Sequence, residues 1–411
     1  MKNAELARKA GEQTRQLMRN HFVSGTEGFL SPPTDLLQEL RENSVSSNRY
    51  ASYFYNLETL SRNIVWIITH REVEHFVNDN LANPPSPTSL DYGNLSRNFQ
   101  HAFMLRLAMI MHAYLKEKYP YKNVSELMKD DEPKTLCSAI AIPMWELSKA
   151  TGIQPSMSYS LYALWNWKKK NPLKPLTLAN VEMPYSFTGT VDEKWFVWIH
   201  QVIEATVATG IEALLKAYFL AKHDPAPEMI TPLLQTAART ENRAVDILQR
   251  MREKCDYKTY FDQVRLFYTL PKKIIFENVA ELEGKPMEIL GETGGQSPSR
   301  HFRLMIMDIT HSTDAYFPRM RLHMSAKHQE LLDIISDSNI RRYVLEHGDN
   351  SALLRAHNSL IQAFVDWRIE HLFLVRDYIK TYGETHGTGK PPLDWLEKLI
   401  EETKKYIIDY K

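Results

Sequence analysis

One histidine, His371, lies within an apolar helical pattern near the end of the 411-residue chain. Apolar residues recur about every 3.6 positions from 351 to 382, and Trp367 and Val375 stand one turn before and after it. The pattern predicts an amphipathic helix with His371 facing the core and Arg368 near its rim. Such a histidine is usually a hydrogen-bonded core residue, but a neutral imidazole between apolar walls can also be an axial ligand of heme iron. The spacing alone favours the core interpretation.

A second candidate for chemistry is an arginine that follows two aromatic residues. In CDYKTYFDQVRLFY, Arg265 stands four residues after Phe261, which follows Tyr260. A guanidinium is always charged and can hold a carboxylate through two parallel hydrogen bonds. It can equally pair with a surface neighbour such as Asp262. The local sequence does not decide between these roles.

The other candidate motifs are weak. His70 and His75 do not have the i,i+4 spacing of an HExxH zinc site, and a solvated helix end is expected there. No acidic residues accompany His101 and His112, so we expect core or surface histidines rather than metal ligands. The loop GETGGQSP contains neither GxGxxG nor GK[ST] and is therefore not a phosphate-binding loop.

Composition and charge exclude several classes of protein. The chain has 50 basic and 50 acidic residues, so it has no basic field for nucleic acid or anionic lipid. Cys137 and Cys255 are far apart and form no zinc or disulfide framework, which favours a reducing compartment. No signal peptide or membrane-spanning run is recognisable, and a cytoplasmic protein is expected. A chain of this length can hold a large core and two subdomains.

The elements that would position these residues are helical almost throughout. Helical periodicity is clearest at 59–76, 95–118, 192–220 and 351–382, whereas 274–300 is the main non-helical part. Small residues in 192–220 permit close approach to a neighbouring helix or to a flat ligand. We therefore predict an all-α fold, a helical bundle with at most a short hairpin.

Five separated stretches, taken in order, resemble the indoleamine 2,3-dioxygenase family. They are Asn166-Trp167-Lys168-Lys169-Lys170, the helix at 192–220, Tyr260-Phe261 with Arg265, the loop GETGGQSP, and WRIEHLFLVRDYI around His371. The loop matches the family element Gly-Gly-Ser-Ala-Gly-Gln-Ser. The resemblance covers about residues 137–411 and is weak before them. It implies a smaller helical domain, residues 1–186, roofing the distal side of a heme, and a larger domain, residues 187–411, with the heme between distal and proximal helices.

The resemblance also implies roles for individual residues. His371 would be the proximal ligand of heme iron, Arg368 would pair with a heme propionate, and Arg265 would bind the substrate carboxylate. His200 would face the oxygen site and accept the indole N–H or hold water; vertebrate members have Ser here and the related tryptophan 2,3-dioxygenases have His. Tyr162 is bulkier than the family pattern predicts. The substrate-binding positions matched by the resemblance are Tyr159, Tyr162, Ala163, Phe196, Tyr260, Phe261, Arg265, Thr293, Gly294, Gly295 and Thr388.

The implied activity is a heme b-dependent dioxygenase that opens the indole pyrrole ring of L-tryptophan, or of a related indoleamine, with O2 to give N-formylkynurenine. Phe196 and Tyr260 would sandwich the indole, and Thr388 would contact it from a glycine-flanked flap. The implied partners are the indole substrate, O2 and an external reductant, and we expect a monomer or weak homo-oligomer. One alternative is a heme monooxygenase or another indole-oxidising enzyme of secondary metabolism on the same scaffold. The other is a non-catalytic helical protein that binds an indole.

Overall fold

Helices dominate the computed structural model, which describes residues 2–42, 50–312, 316–379 and 392–409. The helices up to residue 186 are α1 (Lys2–Asn20), α2 (Leu36–Glu42), α3 (Ala51–Arg62), α4 (Ile64–His70), α5 (Val73–Asn80), α6 (Arg97–Lys118), α7 (Val124–Lys129) and α8 (Ser138–Thr151). The later helices are α9 (Val191–Thr206), α10 (Ala208–Ala221), α11 (Pro227–Gln249), α12 (Tyr257–Thr259), α13 (Arg265–Tyr268), α14 (Pro298–Ile306), α15 (Tyr316–Arg321), α16 (Ala326–Ile335), α17 (Ile340–Glu346), α18 (Ser351–Tyr378) and α19 (Pro392–Lys404). The predicted all-α fold is confirmed.

Short strands pair at two places within the described ranges. The strands are β1 (Lys134–Leu136), β2 (Lys168–Lys169), β3 (Val181–Glu182), β4 (Lys273–Phe276) and β5 (Met287–Glu288). β4 and β5 are antiparallel and form the hairpin expected at 274–300, while β1 adds a parallel partner to β4. β2 and β3 pair antiparallel, so part of the lysine run lies in a strand. The chain leaves β5 directly into the glycine-containing loop of the site described below.

Two of the predicted long helices are interrupted. The segment 59–76 is divided among α3, α4 and α5, and Arg71 adopts a left-handed conformation with φ 58° between the last two. The segment 192–220 is divided between α9 and α10 at Val207. A β-carbon at Gly210 of α10 would overlap Thr240 Oγ1 of α11, so a neighbouring helix accounts for that small residue.

α18 occupies the centre of the larger part of the chain. It packs along α11 on one side and against α19 on another, and α11 also packs against α10. The main cluster of buried apolar residues draws on residues on both sides of position 186. The division into subdomains 1–186 and 187–411 therefore stays a prediction. Within the described ranges, no helix combines the length and the apolar character needed to cross a membrane.

Several histidines are buried in the core away from α18. His112 donates from Nδ1 to the Phe267 carbonyl at 2.6 Å and accepts at Nε2 from the Met157 N–H at 3.0 Å, so its hydrogen bonds are satisfied. His101 is buried too, and neither ring nitrogen of the buried His328 finds a hydrogen-bond partner in the described part of the chain. Burial lowers the pKa of His112 to about 4 and that of His328 to about 3. These imidazoles are therefore neutral in the folded protein at neutral pH.

Because such histidines are charged only after unfolding, we expect the free energy of unfolding to fall as the pH drops below the unfolded pKa of about 6.5. Between pH 7.5 and 5, each depressed histidine would remove about 2 kcal/mol of stability. The variant His328→Leu should lose one such contribution and show a shallower pH dependence in denaturant unfolding. The exposed His75→Leu is the matched control. An unchanged slope in His328→Leu would contradict the assignment.

Candidate functional site

A cavity opens between α9, α14, α18 and α19, with a space of about 1720 Å³ including its mouth. Its long walls are α9 on one side and α18 on the other, and the turn at Tyr260–Arg265 and the loop 292–297 supply further lining. The apolar stripe of α18 that the sequence predicts is the part of this helix that packs into the core and borders the cavity.

On α18, the imidazole of His371 lines the cavity. It lies against Trp367, with ring centroids 5.1 Å apart and planes at 24°, and no hydrogen bond joins it to any described residue. Burial and the nearby charge of Arg300 lower the pKa of His371 to about 3, so the ring is neutral. A neutral imidazole on a long helix that faces open space is suited to bind a metal centre in that space.

Two guanidinium groups border the cavity beside this histidine. Arg300 of α14 is buried, stacks on the Trp367 ring at 3.7 Å, and has no hydrogen-bond partner for either terminal nitrogen among the described residues. Its nearest carboxylate, on Glu241, is 3.7 Å away and also pairs with Arg303. Arg368 is buried too, and burial lowers its pKa to about 10. Buried cations without full compensation are costly, which favours an anionic ligand here.

On the opposite wall, α9 places Phe196 and His200 in the cavity. His200 Nδ1 lies 2.8 Å from the Phe196 carbonyl oxygen, which can only accept, so Nδ1 carries the proton. Burial lowers the pKa of His200 to about 4, and the ring is neutral. Its Nε2 is therefore a hydrogen-bond acceptor at neutral pH.

The turn that carries Tyr260 and Arg265 is π-helical over Tyr260–Val264 before α13 begins. Both side chains line the cavity, whereas Phe261 is buried beneath, with the Arg265 guanidinium 5.5 Å from its ring centre. The rings of Phe196 and Tyr260 have centroids only 4.8 Å apart, tilted by 42°. An indole stacked between them would need a separation of roughly 9 Å, twice the closest usual ring spacing. As they stand, the two rings form one wall rather than a sandwich.

The loop from Gly291 to Ser297 forms the rim near Arg265. A β-carbon at Gly291 would lie 2.7 Å from the Tyr268 carbonyl oxygen, so only glycine fits this approach. Gln296 is fully buried; its side chain donates to the Gly291 carbonyl at 2.9 Å and accepts from the Tyr159 N–H at 3.0 Å. These bonds tie the loop to the segment of Tyr159. Residues 292–295 line the cavity, and the substrate-binding role that the resemblance implies for Thr293, Gly294 and Gly295 stays a prediction.

The remaining predicted residues lie at different depths. Tyr159 lines the cavity and donates from its hydroxyl to Glu204 at 2.8 Å. Tyr162 and Ala163 are buried in the π-helical turn Ser160–Leu164, behind the lining residues. The Tyr162 hydroxyl donates to Glu292 at 2.5 Å. Thr388 lies outside the described residues.

Comparison with known proteins identifies the family. The family model for indoleamine 2,3-dioxygenase matches residues 18–397. The chain belongs to the indoleamine 2,3-dioxygenase family. An indoleamine 2,3-dioxygenase 1 of Rattus norvegicus is 27% identical over 335 residues, covering 74% of this chain and 80% of the relative. An indoleamine 2,3-dioxygenase of Penicillium citrinum is 27% identical over 382 residues, covering 88% and 79%. One of Saccharomyces cerevisiae is 26% identical over 327 residues, covering 72% and 68%.

As a member of the indoleamine 2,3-dioxygenase family, the chain is an oxidoreductase enzyme of a heme dioxygenase scaffold. The donor set fits that cofactor. His371 offers one neutral imidazole with no hydrogen-bond partner in the described part of the chain, and Arg300 and Arg368 offer buried cations for the carboxylates of heme. Trp367 and Leu374 add apolar surface to the same wall.

Arg300 and Glu292 are among the lining residues of this dioxygenase-family site that sequence reasoning missed. Arg300 follows Ser-Pro-Ser at the start of α14 and has the appearance of a solvated helix cation. Glu292 lies within GETGGQSP, a loop whose resemblance to the family depends on its glycines and not on a carboxylate. The only available signal was a mismatch: Glu292 stands where the family element has its second glycine.

Proposed function

We propose that this chain uses heme b and O2 to open the indole pyrrole ring of L-tryptophan, giving N-formylkynurenine. The observation that carries the proposal is the neutral imidazole of His371, which has no hydrogen-bond partner among the described residues and lies in a cavity that Arg300 and Arg368 also line. His371 would be the proximal ligand, and the two arginines would pair with the propionates. When bound, heme supplies the iron that holds and activates O2, provided that an external reductant keeps it ferrous.

The protein's part in this proposal is to bind and orient the indole. Arg265 would hold the substrate carboxylate through paired charge-assisted hydrogen bonds. The indole would pack against the wall made by Phe196 and Tyr260, and His200 Nε2 would accept its N–H. Holding both reactants in one orientation accelerates reaction by proximity, and the apolar lining limits water around them. Cytoplasmic location and a monomer or weak homo-oligomer are parts of the same proposal.

The decisive experiment is the isotopic composition of the product. The hemin-reconstituted, reduced protein is given L-tryptophan under 18O2, and the product is weighed by mass spectrometry. We expect a ring-opened product with two labelled oxygen atoms. No product from heme-loaded, reduced protein would refute L-tryptophan as the substrate.

The second candidate is a heme-dependent monooxygenation or other indole oxidation of secondary metabolism. What favours this candidate is a small polar group in an otherwise mostly apolar pocket: His200 and Glu292 line the cavity, and Tyr162, behind the lining, contacts both. In the same experiment, one labelled oxygen atom in the product would support this candidate and exclude dioxygenation.

The proposed role of Arg300 gives effects of opposite sign on stability and heme affinity. In Arg300→Met, a buried cation whose terminal nitrogens have no hydrogen-bond partner among the described residues is replaced by an apolar chain of similar length. Such replacements are often neutral or stabilising, so we expect the melting temperature of the heme-free protein to stay level or rise. Hemin affinity should fall about tenfold or more through the lost ion pair. Arg319→Met, at an exposed site on α15, is the control, and unchanged hemin affinity in Arg300→Met would refute the role.

A further inference from the structure

Glu292 places a carboxylate in the same cavity as Arg265. Its side chain is half-buried, and the Tyr162 hydroxyl donates to Oε1 at 2.5 Å. Burial raises the pKa of Glu292 to about 7, while Tyr162 and Arg265 act in the opposite direction. Arg265 and Glu292 both line this cavity, and the positive charge of Arg265 favours the ionised form of the carboxyl group.

The position of this carboxylate is set by the backbone of its loop. The Glu292 N–H donates to the Tyr268 carbonyl at 3.1 Å, and the preceding Gly291 packs tightly against the same residue. Gln296 holds the Gly291 carbonyl from the other side. The loop therefore presents the side chain at a fixed place on the cavity rim rather than on a free surface.

Two departures from the family pattern meet here. Glu292 replaces the second glycine of the family loop, and Tyr162 is bulkier than the pattern predicts. The two residues are 130 positions apart and are joined by a hydrogen bond. The bond from Tyr162 holds the Glu292 carboxylate in the cavity that Arg265 also lines.

We propose that Glu292 accepts a hydrogen bond from the α-ammonium group of the substrate, so that Arg265 and Glu292 together recognise an amino-acid zwitterion. The inference rests on the proposed function, because it takes Arg265 as the carboxylate site. An α-amino acid carries its ammonium and carboxylate groups on adjacent carbons. A carboxylate and a guanidinium that line the same cavity can bind these two groups together. With the indole against Phe196 and Tyr260, the substrate has three points of attachment, and these distinguish the L from the D enantiomer.

The test is binding of three ligands to the heme-loaded protein, measured by calorimetry. L-tryptophan has both charged groups, indole-3-propionate lacks the ammonium group, and tryptamine lacks the carboxylate. In Glu292→Gln, which keeps the shape and can still accept from Tyr162, we expect binding of L-tryptophan and tryptamine to weaken about tenfold or more. Binding of indole-3-propionate should stay level or improve. The exposed Glu288→Gln on β5 is the matched control and should leave all three affinities unchanged.

The pH dependence provides a second readout that a merely structural role would not alter. The affinity of the unmodified protein for L-tryptophan should rise between pH 6 and 8 as Glu292 ionises, and Glu292→Gln should lose this rise. Equal weakening of all three ligands, or no change in any, would overturn the proposal. Ligand binding is measured without turnover, so it tests the role of Glu292 independently of catalysis. If the protein fails to oxidise tryptophan, the proposed function is refuted, but the relative affinities of the three ligands still decide the role of Glu292.

Discussion

His371→Ala is expected to abolish stable heme binding while leaving the protein folded. The imidazole makes no hydrogen bond within the described chain, so its removal costs the fold little, whereas heme would lose the side chain proposed to bind its iron. Removal of residues that merely support a metal ligand costs about 10–100-fold in affinity, and loss of the ligand itself should cost at least as much. The measurement is the Soret absorbance retained after hemin loading and desalting, together with the melting temperature of the heme-free form.

The control for His371→Ala is His223→Ala, which removes an exposed imidazole beyond α10. Added imidazole should restore a heme spectrum to His371→Ala, because the truncated side chain leaves room for a free ligand beside Trp367. A variant that keeps full heme content and the spectrum of the unmodified protein would show that another residue is the proximal ligand. Loss of folding in the heme-free variant would show instead that His371 is a structural core residue.

The helix of His371 could be predicted because the signal is local. A 3.6-residue apolar period over many turns needs no knowledge of the partner elements, and α18 extends over nearly the whole of the predicted segment. The break of 59–76 could not be predicted in this way. No proline or glycine marks it, and Arg71 adopts its left-handed conformation without a sequence signal for it.

The charges of the site are set by contacts distant in sequence, which explains why part of it was missed. Arg300 and Arg303 are three residues apart on α14, as exposed cations often are. Both are buried near Glu241 of α11, and no residue close to position 300 in the sequence indicates that carboxylate. The Tyr162–Glu292 bond is equally long-range. The family resemblance, and not the local spacing, predicted that Tyr260 and Arg265 belong to one site; a single turn carries both, and both line the cavity.

Arg265→Ala is expected to keep heme and lose substrate. The guanidinium lines the cavity from the turn that also carries Tyr260, on a different element from His371, Arg300 and Arg368. Removing one partner of a desolvated charged pair costs roughly 3–5 kcal/mol, so kcat/KM for L-tryptophan should fall by a factor of about 10² or more. The same loss should appear with indole-3-propionate as a binding ligand and be absent with tryptamine, which has no carboxylate.

A second variant at Arg265 separates the charge of the side chain from its geometry, and a variant at an exposed arginine is the control. Arg265→Lys keeps the charge but not the planar fork, so it should recover only part of the affinity if the carboxylate is bound through two parallel hydrogen bonds. Arg243→Ala, at an exposed site on α11, should behave like the unmodified protein. If Arg265→Ala weakened tryptamine as much as L-tryptophan, the arginine would act by supporting Phe261 and the surrounding turn, and the carboxylate site would have to lie elsewhere in the cavity.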